Sequence, residues 1–596
     1  MISSLLSLYL SLLVNHHLLK QANAMNNERR NHHLRAQHQQ GAWRRRSGTE
    51  FEKMRIRINT DELERGKGYS DRDDSRIDAL IDDILPESVK IWSEALSVRP
   101  LIDPVVLDDD ECGGVPVPSN DQSHGVEDAD LIVYVGLEDD CSGNTFARAG
   151  SCLYEEELDR PIAGRIKICL DEIDLDDDDQ VSDEDIELHI GVHVHEIGHI
   201  LGISTYNFSL YRKPNGEPWG TTERTVTCAN GETKTMDVPN VLTEEDGVWE
   251  IRTLAVVQVV RNQFDCQSLT GARLENQSSS NCFSSHLDER YFFNDVMGKT
   301  VHMHNMLTPV TLAILEDSGW YQPDYTKSTI ASFGHGAGCN FVHKDCIVDG
   351  DVPDYSRGFF CNELWSSSGA SRQCDATHTI RASCDLRDDE EPPKDFEWFE
   401  DEDWGGSFTR ADHCPLNRYW TEHCNEDTRC FNVEDDDSVC LEFECKQQQQ
   451  RVSFDVDGTT FTCDEDFEVV ETSIGNVVCP RFAAICPEAV CPGNCSGRGV
   501  CDWDSGTCEC DDKDDDSAGC WDSLFSASSG GNGGGAGDNQ PPVSLPSASP
   551  TASPTKEKDA KDNNDKDKDK DKGGKDKQNK KNKNKNKSKK KKQKGR

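Results

Sequence analysis

Between Ser182 and Gly202 the apolar positions follow the period of a helix. Ile186, Ile190, Ile197 and Leu201 recur at steps of four, seven and four, which puts them on one buried face. Ser182, followed by Asp183, Glu184 and Asp185, is a helix start with acids in the first turn, and Gly202 can end the helix. Residues 77–96 have the same spacing, with Pro86 expected to divide them into two helices. Residues 55–58 alternate as a strand does, and residues 131–135 and 166–170 are short apolar strands. Strands and long helices in this mixture predict an α+β domain with a mixed sheet. Beyond Tyr321 the periodicity fades and cysteines crowd together, thirteen of them between Cys339 and Cys486. That composition predicts a disulfide-stapled domain with a small core.

The polar positions of the first helix carry chemistry. His195-Glu196-Ile197-Gly198-His199 places two imidazoles four residues apart on one helical face, where they can share a zinc ion. Glu196 beside them is the right type of group to hold and deprotonate a water on that ion. A catalytic zinc needs a third protein ligand and an open position. The compact form of the motif would put a histidine at position 205, where Thr205 stands, so the ligand comes from further along the chain. The candidates further along are His286, which Met297, in Asn294-Asp295-Val296-Met297-Gly298, follows at eleven residues, and His302 and His304.

These residues resemble the leishmanolysin family of zinc metallopeptidases, metzincins in which a long insertion separates H-E-x-x-H-x-x-G from the third histidine. The resemblance extends to residues 128–135, 160–168, 311–321 and 338–341, in family order, and covers residues 53–490. It implies a metzincin catalytic domain with zinc on His195, His199 and His286. It also implies Glu196 as general base, Met297 beneath the metal without ligating it, and Gly202 turning the chain back. An edge strand of the sheet would pair with substrate backbone, and residues 163–166 are expected to supply it. Related proteases are often held latent by a pro-region cysteine; here no cysteine precedes Cys112. The insertion at 203–285 matches no pattern.

Composition sets the compartment. The chain has 596 residues and 26 cysteines, an even number suited to disulfides in an oxidising environment. Its net charge of -47 argues against nucleic acid as a partner. Residues 1–24 read as a signal peptide ending in Ala22-Asn23-Ala24, and residues 25–52 as a basic, disordered pro-segment containing Arg44-Arg45-Arg46. No later stretch is apolar enough to span a membrane. Asn207 and Asn276 lie in N-x-S sequons, open to glycosylation in an exported chain. The acidic run at 174–179 reads as a solvated loop: a calcium loop would need glycine where Asp179 stands and Glu where Asp185 stands. The remaining boundaries follow as a catalytic domain at 53–330, a cysteine-rich domain at 331–486, a small module at 487–522, and a linker with a lysine-rich tail at 523–596. Cys491, Cys495, Cys501, Cys508, Cys510 and Cys520 are similar in spacing to an EGF-like module. That likeness implies the pairs Cys491–Cys501, Cys495–Cys508 and Cys510–Cys520, whereas spacing alone allows fifteen connectivities. Such a module serves either as a rigid spacer or as an adhesion element. Residues 556–596 hold 20 Lys and Arg against 8 Asp and Glu. On an exported protein such a tail fits an anionic polysaccharide or a negatively charged cell surface. The function expected is a secreted or cell-surface zinc metalloendopeptidase acting on proteins or peptides. A catalytically silent adhesion protein on the same fold is the alternative.

Overall fold

A run of Leu131, Ile132, Val133, Tyr134 and Val135, apolar without alternation, reads as a strand covered on both faces, and all five side chains are buried. In the computed structural model this is strand β2 (Leu131–Leu137), flanked in sequence by β1 (Ile56–Asn59), β3 (Ala147–Tyr154) and β4 (Pro161–Ile168). The structure describes residues 50–522, apart from 69, 139, 143–144, 229–231, 246, 276–281, 303–304, 365–371, 426 and 435–436. The leader, residues 25–49, the linker, the lysine-rich tail, Asn276 and His304 therefore lie outside the described residues.

The sheet order is β1-β2-β4-β3, parallel from β1 to β4 and antiparallel between β4 and β3. This corrects the expectation that residues 163–166 form the free edge. They lie in β4, covered by neighbours on both sides, and β3 takes the edge. The apolar composition of residues 161–168 suits an interior strand, whereas most of β3 is half-exposed.

Among the helices that precede β2 in the chain are α1 (Asp71–Ala79) and α2 (Leu85–Ala95). Pro86 does not separate them. A π-helical turn over Leu80–Ile84 joins them without a break, and Pro86 sits in the first turn of α2, where a missing N–H costs least. Helix α3 (Asp183–Leu201) begins as its sequence dictates, with the Ser182 hydroxyl accepting from the Asp185 N–H at 3.1 Å. It packs on α2 through Trp92, whose Nε1 donates to the Val194 carbonyl at 2.9 Å. Gly202 ends α3 at φ 136°, a conformation that strains any other residue, and the Trp320 ring fills the space a side chain would need.

The insertion folds into two hairpins, Thr221–Thr227 with Thr233–Pro239 and Leu242–Glu245 with Val248–Ile251, and then α4 (Leu254–Phe264). Helix α5 (Pro309–Asp317) follows it in the core. The cysteine-rich region is more regular than its sequence suggests. Strands β5 (Thr428–Val433), β6 (Ser438–Lys446), β7 (Arg451–Val456), β8 (Thr459–Cys463), β9 (Val469–Thr472) and β10 (Gly475–Val478) form one sheet in the order β8-β7-β6-β5-β10-β9. Its core includes Phe431, Phe454 and Val477. Residues 487–520 close with the hairpin β11 (Gly499–Asp502) and β12 (Thr507–Cys510) and the disulfides Cys491–Cys501, Cys495–Cys508 and Cys510–Cys520.

Asn207 is not a glycan acceptor in this fold. It is 1 % exposed, its Oδ1 accepts from the Tyr154 hydroxyl at 3.1 Å, and its Nδ2 donates to Ser151 Oγ. No helix of the described residues is long and apolar enough to cross a membrane.

All 26 cysteines are paired, in 13 disulfides. A thiol-reactive dye added to denatured, unreduced protein should therefore find no free thiol. Several reactive thiols per chain would contradict these pairings and the oxidising compartment with them.

Candidate active site

Three imidazoles reach one point from two parts of the chain. Helix α3 supplies His195 and His199 one turn apart. His286 arrives on a segment bridged on one side to Leu274 and on the other to Gly298, through Leu287. The Nε2 atoms of His199 and His286 are 3.2 Å apart, and the ring centroids of the three lie 4.6 to 5.2 Å from one another. Their ligand atoms all fall within 4.8 Å. His195 Nδ1 donates to the Val296 carbonyl at 2.7 Å, and His199 Nδ1 donates to the Ile203 carbonyl at 2.6 Å. Each carbonyl fixes the tautomer that leaves Nε2 with its lone pair facing the cluster. His286 Nδ1 lies 3.2 Å from the Ser284 hydroxyl.

Burial lowers the pKa of all three, His195 to about 3, with the neighbouring imidazoles adding to the effect at His195 and His286. The rings are therefore neutral, the form that binds a metal. Nitrogens converging at this range favour a proton or a metal cation between them. Neutral nitrogen donors of this kind suit zinc, so the donor set fits the ion that the sequence implies.

Glu196 is 8 % exposed, and burial pushes its carboxyl up to about 7. The Ala149 backbone N–H on β3 and the guanidiniums of Arg165 and Arg148 act in the opposite direction. Met297 is fully buried in a tight turn, with the Gly298 N–H bonded to the Asp295 carbonyl at 2.9 Å. The Asp295 carboxylate accepts from the Met297 N–H at 2.7 Å, from the Thr311 hydroxyl at 2.6 Å, and from the Thr308 hydroxyl. The Met297 sulfur lies against α3 at Gly198; a Cβ there would stand 2.6 Å from it.

His302 lies apart from the cluster. Its Nε2 is 3.4 Å from Glu289, and its ring packs on Phe293 and Phe408. The other groups of metal-binding type among the described residues each include disulfide-bonded cysteines, which makes them poor ligands. Sequence reasoning missed Gly198, Asp295, Thr308 and Thr311. Asp295 had a local signal, since an aspartate two residues ahead of a backbone N–H is a turn-forming residue.

The family model described as leishmanolysin (Peptidase_M8) matches residues 72–492, most of the chain and the whole of this cluster. The chain belongs to the leishmanolysin family. Its similarity extends to a leishmanolysin-like peptidase of Drosophila pseudoobscura pseudoobscura, 28% identical over 459 residues, covering 63% of this chain and 65% of that protein. A leishmanolysin-like peptidase of Caenorhabditis elegans is 26% identical over 432 residues, 58% of this chain and 64% of the relative. The leishmanolysin of Leishmania tropica is 25% identical over 382 residues, 62% of this chain and 52% of the relative. The chain thus spans under two thirds of the length of these relatives. The leishmanolysin match ends within two residues of the 53–490 span that the sequence resemblance assigned but begins at residue 72, and it stops at the start of the 491–520 cysteine set.

Gly198→Ala should destabilise the protein by about 1–3 kcal/mol, the usual cost of forcing a methyl group into a packed core. Thermal unfolding of the variant against wild type measures it. A wild-type midpoint would mean that Met297 does not press on this helix.

Proposed function

We propose that this chain is a zinc metalloendopeptidase that hydrolyses peptide bonds in protein substrates at the secreted or cell-surface stage of its life. The observation that carries the proposal is the convergence of His195, His199 and His286 beside a buried Glu196. In this reading the three imidazoles hold zinc, with Val296 and Ile203 fixing two of them from behind. When bound, zinc supplies Lewis acidity towards a peptide carbonyl and lowers the pKa of a water beside it. Glu196 accepts the proton of the attacking water and passes it to the departing amine. The free edge of β3 pairs with the backbone of an extended substrate, which leaves its scissile bond over the histidines. Met297 packs beneath the histidines and limits their movement. No serine or cysteine nucleophile takes part.

The same reading keeps the proposed domain limits and gives the lysine-rich tail the role of an electrostatic tether to an anionic polysaccharide or cell surface. The likeness of residues 487–522 to an EGF-like module belongs to this reading as well, and its three disulfides support it.

The test uses secreted protein, cleaved after Arg46 and loaded with zinc. It should degrade casein near neutral pH, stop on addition of phenanthroline, and ignore serine- and cysteine-directed reagents. Glu196→Ala should keep its zinc and lose about 100- to 10,000-fold in rate, the usual effect of removing a general base. Processed, zinc-loaded protein with no activity that depends on Glu196 would leave the adhesion reading in its place.

A further inference from the structure

Helix α4 presents two buried carboxamides to residues that the leishmanolysin match barely reaches. Asn262 is fully buried; its Nδ2 donates to the carbonyls of Asn494 and Gly499, both at 2.9 Å, and its Oδ1 accepts from the Cys501 N–H at 3.2 Å. Gln263, 3 % exposed, accepts from Asn494 Nδ2 at 2.9 Å and donates to the Ala331 carbonyl at 2.8 Å. At the end of α5, Glu316 forms an ion pair with Arg498, and its Oε2 accepts from the Tyr325 hydroxyl at 2.7 Å. Glu488 accepts from the Ile330 N–H at 2.7 Å. Packing is equally close. A Cβ on Gly497 would stand 3.1 Å from the Ala255 carbonyl oxygen, and the Trp503 ring lies against Gly336 and the buried His335.

We propose that residues 487–520 are an intramolecular brace for the catalytic half, docked on α4 and α5, and not a module held out for adhesion or spacing. Two independent observations carry this. The first is the polar pairing: a buried side-chain amide is tolerated only when it is bonded, and three of the four bonds of Asn262, with one of the three of Gln263, reach residues 494–501. A catalytic half without this segment would expose an unfinished surface. The second is backbone conformation. Gly493, Asn494, Cys495 and Ser496 are consecutive left-handed residues, with φ from 49° to 59°. Non-glycine residues hold that conformation only where surrounding contacts enforce it. Asn494 and Ser496 are fully buried at this contact, with Ser496 Oγ donating to the Gly519 carbonyl at 2.8 Å.

The brace reaches the candidate metal centre through α5. Thr308, the residue before α5, and Thr311 in its first turn bind the Asp295 carboxylate, which in turn fixes the Met297 N–H. Residues that hold α5 in place therefore also hold the turn beneath His195 and His199. This second step rests on the reading of those histidines as ligands; the docking itself does not.

Hydrogen exchange on the full-length secreted chain separates the two steps, since it needs neither substrate nor activity. In Asn262→Ala, loss of the three bonds that this buried amide makes to the segment should accelerate exchange about ten-fold or more in residues 491–501. The same acceleration should appear in α4, α5 and residues 295–298, and a chelator should remove zinc faster than from wild type. Arg498→Gln, at the rim of the contact, should give a smaller change in the same segments and serves if Asn262→Ala is not secreted. Acceleration confined to residues 487–520, with α5 and the turn at wild-type rates, would overturn the brace. So would wild-type exchange everywhere. Faster exchange in all these segments of a protein that never bound zinc would uphold the brace and refute the metal reading.

Discussion

Two backbone carbonyls aim the candidate active site. Val296 holds His195 and Ile203 holds His199, each through Nδ1, so that both Nε2 atoms face His286. Much of the surrounding fold serves to put those carbonyls in place. Ile203 follows Gly202, whose positive φ turns the chain back along α3 and whose missing side chain admits Trp320. Val296 belongs to the turn that Asp295 organises, and Asp295 is held by hydroxyls at the start of α5. Fixing the second nitrogen of each imidazole in this way restricts ring rotation.

The clustering of the histidines was legible because much of it is local. A helix fixes the spacing of His195 and His199, and the Leu287 N–H, bonded to the Met297 carbonyl at 3.0 Å, ties the segment of His286 to the turn of Met297. The helix start at Ser182 and its end at Gly202 were legible for the same reason. Strand order was not. Residues 163–166 look like a strand, but whether a strand lies inside a sheet or at its edge depends on partners far off in the chain. Gly198 was passed over because its role comes from Met297, ninety-nine residues later. Asn207 reads as a sequon until Tyr154 and Ser151 are seen to hold its carboxamide. The π-turn ahead of Pro86 shows a related limit: sequence marks a proline as a breaker, but the widened turn before it absorbs the lost N–H.

The disulfides distribute the fold's constraints unevenly. Cys112–Cys152 ties β3 to the short hairpin beside it, and Cys141–Cys169 ties the approach to β3 to the end of β4. The edge strand that would receive substrate is thus anchored at both ends. Cys266–Cys339 joins the end of α4 to the start of the cysteine-rich region, close to the surface on which residues 487–520 dock. Side-chain packing holds α2, α3 and α5 together in the core, while the cross-links fix the peripheral segments that border the site.

The assignment of His286 as third ligand carries the most weight, because the proposed zinc site is incomplete without it. Zinc per chain, measured by mass spectrometry of the metal in purified wild type, His286→Ala and His302→Ala, tests it directly. The account predicts stoichiometric zinc in wild type and in His302→Ala, and loss of most of it in His286→Ala. Zinc retained by His286→Ala but lost from His302→Ala would contradict it.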